Sequence, residues 1–206
     1  MGFDEAISYS FIDTKFDGVF ETVPGVIDDK AAEKFVTLQD AVIEGAVRMR
    51  PSMLPGLLDA VRLNFNHQRR DIKLFEIGKI FAAASGENPL PNEQEAFAVV
   101  LTGGEMHEGR ASSTREVDFY DAKGAVEAAL EAAGISDVSF STADIKHLRP
   151  GQSAVIEIDG TMVGYLGRLS DEIAASYKFK QPVFVSEIDL QTVFSLPAET
   201  VVYRTL

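Results

Sequence analysis

Ser153-Ala154-Val155-Ile156-Glu157-Ile158-Asp159-Gly160-Thr161-Met162-Val163-Gly164-Tyr165-Leu166-Gly167-Arg168-Leu169 sets two strand-like runs on either side of an Asp-Gly pair. Such a pair between apolar and β-branched runs is the strongest short-range hairpin signal, because both central turn positions need positive φ. A tight hairpin forces its two strands to be antiparallel. Working outward, Ser170 followed by Asp171 and Glu172 predicts a short helix, with a hydroxyl at its N-cap and carboxylates at its positive end. Val183 to Ile188 predicts a further strand, and Asp189 is placed to cap a short helix through Phe194.

Upstream, Leu57, Leu58, Val61 and Phe65 recur at helical spacing from Leu54 to about Arg69, with Pro55 in the first turn, where a missing N–H costs nothing. Ile72 to Ala83 and Glu95 to Thr102 predict strands, separated by the polar break Ser85 to Pro89. Gly103 to Glu116 reads as a loop. Phe119, Ala122, Val126, Leu130 and Ala133 mark a helix, with Gly134 at its C-terminal cap. Residues 5–12 alternate and predict one half-buried strand with Ile7, Tyr9 and Phe11 on a common face; a short helix is expected from Asp28 to Phe35. The order mixes hairpins and helices without regular βα alternation, so the expected class is α+β, an antiparallel sheet flanked by helices. The chain reads as a single domain, 1–206, and as a fragment of a longer protein: a strand starts five residues in, and Val201 to Arg204 begins an extended segment that stops.

No apolar run approaches the roughly 20 residues of a membrane span, and the start Met1 to Glu5 has no signal-peptide character. The chain has no cysteine, which excludes disulfides, cysteine nucleophiles and thiolate metal sites and agrees with a cytoplasmic location. Its net charge of −13 opposes nucleic-acid binding outside a segregated basic patch. One stretch leans basic: Arg48, Arg50, Arg62, Arg69, Arg70, Lys73 and Lys79, against Asp59, Asp71 and Glu76. It reads as a solvated helix face or as a partner contact, with RNA as the candidate.

His67, His107 and His147 lie far apart in sequence, so no local metal pair exists, and each reads as a surface or structural side chain. Asp121 and Lys123 could form an acid–base pair, but a helix start recruits carboxylates in any case, and Asp118 is placed as its N-cap. No phosphate loop and no nucleophile elbow is present. The residues alone specify an acidic α+β domain without an assigned function.

Several segments, in order, resemble bacterial phenylalanyl-tRNA synthetase β subunits. Gly2-Phe3-Asp4-Glu5-Ala6-Ile7-Ser8-Tyr9-Ser10-Phe11 is similar to the family's G-F-x-E-x-I-x-Y-S-F strand, and Arg48-Met49-Arg50-Pro51-Ser52-Met53-Leu54-Pro55-Gly56-Leu57-Leu58 to its M-R-x-S-L-L-P-G-L-L. Leu74-Phe75-Glu76-Ile77-Gly78-Lys79-Ile80-Phe81 resembles L-F-E-I-G-x-V-F, and Asp118 to Gly124 resembles D-F-F-D-x-K-G. Leu148 to Ser153 and Val163 to Gly167 complete the set, with local departures at Pro51 and at 147–149.

The resemblance implies a class II aminoacyl-tRNA synthetase-like fold, here the catalytic-like module of the β subunit. In that family the holoenzyme charges the tRNA for phenylalanine, using ATP and magnesium, as a tetramer of two α and two β subunits. The α subunit holds the ATP and phenylalanine site, and tRNA is met mainly through other modules. The chain is expected to begin after the first class II motif's helix and to stop before an anticodon-binding domain. Active class II enzymes hold ATP with an arginine after the first strand of the second motif and another in the third-motif helix. Here Phe81 is followed by Ala82, Ala83 and Ala84, and the region Val183 to Phe194 has carboxylates, Glu187 and Asp189, and no cation. A triphosphate needs charge-assisted donors. The expectation is therefore a non-catalytic assembly module that packs on the α subunit, with no catalytic, cofactor or metal residue of its own and with Ile7, Tyr9 and Phe11 at the subunit interface. The alternative is an independent amino-acid-activating or small-molecule-binding protein on the same fold.

Overall fold

A computed structural model describes residues 2–27, 34–83, 90–105 and 114–196. In chain order these form β1 (Asp4–Glu5), β2 (Phe11–Ile12), β3 (Arg48–Met49), α1 (Leu54–Asn66), β4 (Ile72–Ala82), β5 (Asn92–Thr102), α2 (Phe119–Ala132), β6 (Val138–Thr142), β7 (Leu148–Ile158), β8 (Thr161–Leu169), α3 (Asp171–Ser176), β9 (Val183–Asp189) and α4 (Leu190–Ser195). Seven strands make one sheet in the order β1-β4-β5-β9-β8-β7-β6, and β2 pairs with β3 in a separate short ladder. Every pairing in the large sheet is antiparallel except β1 with β4. The expected α+β class, an antiparallel sheet flanked by helices, is what the chain forms.

The hairpin closes where the Asp-Gly pair places it. Asp159 and Gly160 both have positive φ, 50° and 73°, and Ile158 faces Thr161 across the turn. Further along β8, Gly164 is required by proximity: a methyl group there would lie 2.9 Å from Ile188 Cα and closer still to the Glu187 carbonyl oxygen. Caps also follow the sequence. Asp118 accepts from the Tyr120 and Asp121 amides while Asp121 reaches back to the Asp118 amide, a reciprocal capping box. The Ser170 hydroxyl accepts from Ile173 N–H, and Asp189 from Gln191 N–H.

Alternation along the strands divides the interior in two. On one face Ile80, Ala82, Ala96, Ala98 and Tyr165 meet Leu54, Leu57 and Leu58 of α1, Ile173 of α3, and Phe20, Val23 and Val26 of the irregular segment before β3. On the other, Val99, Leu101, Leu166 and Ile188 meet Val126 and Leu130 of α2 and Val193 of α4. The helices of this second face lie over β5, β8 and β9. Beyond them Ile77 of β4 is 55% exposed.

Two expectations need correction, and one strand was not foreseen. Residues 5–12 are not one strand. β1 ends at Glu5, the chain continues outside any strand as a strap from Ala6 to Ser10, and Phe11 joins the separate β2–β3 ladder. The side chains of Ala6, Ser8 and Ser10 turn inward and those of Ile7 and Tyr9 outward; Ala6 packs on the apolar core and Ser8 meets the charged groups described below. β6 carries too little apolar alternation in Val138-Ser139-Phe140-Ser141-Thr142 to be foreseen, and pairs along β7. The basic stretch is not a helix face, since α1 contains only Arg62 of its seven cations. The helix expected from Asp28, the polar break at 85–89, His107 and Val201 to Arg204 lie wholly or largely outside the described residues, while Lys34 and Phe35 are not helical.

Candidate functional site

The sheet face that carries Ala82 is packed by the chain itself. Ala82 is fully buried in the same cluster as Phe20, Val23 and Val26. These three apolar side chains come from a segment with little regular structure, so its place depends on polar ties. Asn92 Nδ2 donates to the carbonyl oxygens of Gly25 (3.1 Å) and Val26 (2.9 Å) at one end. At the other, Glu21 N–H donates to His147 Nδ1 (3.1 Å) and Glu21 Oε2 accepts from Lys146 N–H (3.1 Å). The His147 ring sits edge-on to Phe20 and Tyr165, and burial pushes its pKa down to about 3, so it stays neutral.

Two carboxylates sit inside this packed face. Glu187 is wholly buried at the centre of the sheet on β9. Its Oε2 accepts from the Ser52 hydroxyl (2.8 Å) and the Tyr165 hydroxyl (2.7 Å), and its Oε1 from Met53 N–H (2.7 Å). Burial pushes the Glu187 carboxyl up, and the bonds from Tyr165, Met53 and Ser52 hold it back in part. Burial and the neighbouring Glu187 charge raise the Tyr165 hydroxyl. Glu187 therefore ties the approach to α1 to the sheet; every one of its contacts is internal.

Glu76 of β4 meets Arg50, which is only 3% exposed. Arg50 Nη1 lies 2.8 Å from Glu76 Oε1 and donates to Ser8 Oγ (2.8 Å), while Arg50 Nε donates to the Lys79 carbonyl (2.9 Å). Ser8 completes the ring, its hydroxyl donating to Glu76 Oε2 (2.7 Å) and its N–H to Oε1 (3.2 Å). Its neighbours Ile7 and Tyr9 are 91% and 73% exposed, whereas Phe11 is half-buried. Two of the three residues expected at an interface thus share an outward surface, and the third is held in a different ladder.

The other sequence candidates are satisfied locally. Asp121 pairs bidentately with Arg115, which holds its carboxyl below the usual range, and Lys123 pairs with Glu127. They form no acid–base pair. Arg48 meets Asp17, Arg62 meets Asp59 and Lys79 meets Glu93. His67 is exposed at the C-cap of α1. Among the described residues no three His, Asp or Glu side chains converge as a metal-binding group, and no helix is long and apolar enough to cross a membrane.

Residues 1–190 match the family described as phenylalanyl tRNA synthetase beta chain CLM domain. The chain belongs to this family. It is 40% identical over 190 residues to the phenylalanine--tRNA ligase beta subunit of Pseudomonas putida, covering 92% of this chain and 22% of that protein. With the beta subunit of Geobacter sulfurreducens the identity is 32% over 201 residues, covering 94% and 24%. The chain thus spans about a quarter or less of the length of these beta subunits. In fold it is similar to pyrrolysyl-tRNA synthetase from Desulfitobacterium hafniense, a class II synthetase, with a TM-score of 0.65 at 15% identity over 94% of this chain and 62% of that one.

Sequence reasoning about this synthetase β-chain domain missed the Arg50–Glu76–Ser8 ring and the filler residues Phe20, Val23 and Val26. The ring had a signal. Glu76 shares strand parity with Leu74 and Ile80, so a carboxylate had to lie on an apolar face, where a cation must meet it. The filler had little, since its three apolar residues, although spaced three apart, lie in a segment interrupted by Gly18, Pro24 and Gly25.

Proposed function

We propose that the chain is a non-catalytic assembly module of phenylalanine--tRNA ligase. It packs on the catalytic α subunit, within a cytoplasmic enzyme of two α and two β subunits that attaches phenylalanine to its tRNA with ATP and magnesium. The observation that carries this reading is the packed sheet face: Ala82 is fully buried in one apolar cluster with Phe20, Val23 and Val26, and the buried cation Arg50 is already paired with Glu76. Membership of the β-chain family supports the ligase and the α partner. The outward Ile7 and Tyr9 support a docking surface on the strap.

The test has two arms. The full polypeptide carrying this chain, freed of α subunit, is titrated calorimetrically with millimolar magnesium–ATP; no saturable heat is expected, and binding at one site per chain, lost on substitution within this module, would overturn the non-catalytic assignment. In the second arm, tagged polypeptide is co-expressed with its α subunit. The parent is expected to capture α in equal amount, and Ile7→Asp/Tyr9→Asp to reduce capture at least tenfold, because burying two unpaired carboxylates is costly. Equal capture by the charged variant would show that the interface lies elsewhere.

A further inference from the structure

We infer that the buried ring of Ser8, Glu76 and Arg50 is a positioning device for partner binding, holding the strap in the one conformation that presents Ile7 and Tyr9. This inference rests on the docking role proposed above and gives the buried Arg50 and Glu76 a part in it.

The strap has few other restraints. β1 contributes its parallel pairing only to Glu5, followed by Ala6 N–H to the Phe75 carbonyl (2.7 Å). The next anchor is Arg50 N–H to the Ser10 carbonyl (2.9 Å). Between these anchors Ile7 and Tyr9 are too exposed to hold the backbone by packing. What fixes it is Ser8, bonded through both its amide and its hydroxyl to Glu76 and receiving a bond from Arg50. A strap alternates its side chains, so fixing Ser8 inward forces both neighbours outward.

Two glycines make room for this ring, and neither has another evident reason to be glycine. Gly56 sits in the first turns of α1, where alanine is intrinsically the better helix former. A methyl group there would come within 2.6 Å of Ser8 Cβ and closer still to its hydroxyl. Gly78 sits inside β4, where glycine weakens a strand. A methyl group there would lie 2.5 Å from Arg50 Nη2. Neither position has the positive φ that would demand glycine. The structure thus carries an unfavourable residue in a helix and another in a strand, each directly beneath one member of the ring.

Ser8→Ala and Gly56→Ala are made in the full polypeptide and measured against the α subunit by surface-immobilised dissociation kinetics, beside thermal unfolding of each variant. Both are expected to raise the dissociation rate about tenfold. Gly56→Ala, with its better helix former, discriminates presentation from general damage: its unfolding midpoint should fall far less than its binding. The decisive comparison places Ser8→Ala on an Ile7→Ala/Tyr9→Ala background, where it should change the dissociation rate less than twofold, since there is nothing left to present. Dissociation of both single variants at the parental rate would overturn the inference. So would a tenfold effect of Ser8→Ala that persists unchanged on the background lacking Ile7 and Tyr9. Failure of the parent itself to bind α would instead refute the docking role beneath it.

Discussion

Glu187→Ala is expected to cost the fold about 3–5 kcal/mol, measured by chemical denaturation at neutral pH. The substitution strands the hydroxyls of Ser52 and Tyr165 and the amide of Met53, all buried, and each unmet polar group costs about 1–3 kcal/mol. Loss of one buried, desolvated carboxylate offsets part of that sum. Glu187→Gln should behave differently, since an amide keeps one acceptor for Met53 and its NH₂ can donate to hydroxyls free to rotate. The two proteins should also separate with pH. Burial raises the Glu187 carboxyl above its ordinary 4.5, so the folded state holds the proton that the unfolded chain has already released. Stability of the parent relative to Glu187→Gln should therefore rise as pH falls from the raised folded value toward 4.5, and level off below it. A flat difference across that range would show that the carboxyl titrates normally.

Arg50→Ala should be comparably severe, about 3–5 kcal/mol, because it leaves Glu76 charged and buried with only Ser8 for company. The reason is the unpaired charge rather than a favourable ion pair. A double replacement, Arg50→Met with Glu76→Leu, should recover most of the lost stability, since apolar residues of similar volume often replace a buried pair without loss. If the double variant is no more stable than Arg50→Ala, the pair contributes through its precise bonds to Ser8 and the Lys79 carbonyl instead. Under the positioning role proposed for the ring, the double variant should still hold the α subunit poorly, which separates stability from docking in one protein.

Much of this architecture was legible because it is written locally. The Asp159-Gly160 turn, the Ser170 and Asp189 caps and the apolar stripe Leu54 to Phe65 each depend on neighbours within a few positions, and each appears where its pattern places it. The candidate site was less legible because its parts are distant. Ser8 and Glu76 are 68 positions apart, and Ser52 and Glu187 are 135 apart. Arg50 looked like one more cation in a basic run, yet it is the buried one. The strap alternates as a strand does, so its periodicity located Ile7 and Tyr9 on one side correctly but gave no sign of which side faces water. That choice belongs to the ring beneath Ser8. The motif comparison rather than periodicity pointed to the family, whose model matches residues 1–190.

The position of β9 bears on how the chain reaches this state during synthesis. Among the described residues β9 is the last strand made, yet it lies in the middle of the sheet, between β5 and β8. Until residues 183–189 leave the ribosome, β5 and β8 each have an unpaired edge and the sheet exists as two halves with nothing to join them. At about 5–20 residues per second, Ser52 and Met53 wait roughly 7–27 s for Glu187 to be translated. Open strand edges and non-local closure favour slow folding and mispairing. A nascent chain halted before residue 183 should therefore be protease-sensitive and bound by chaperones, and extension by a single strand should convert it to the native sheet.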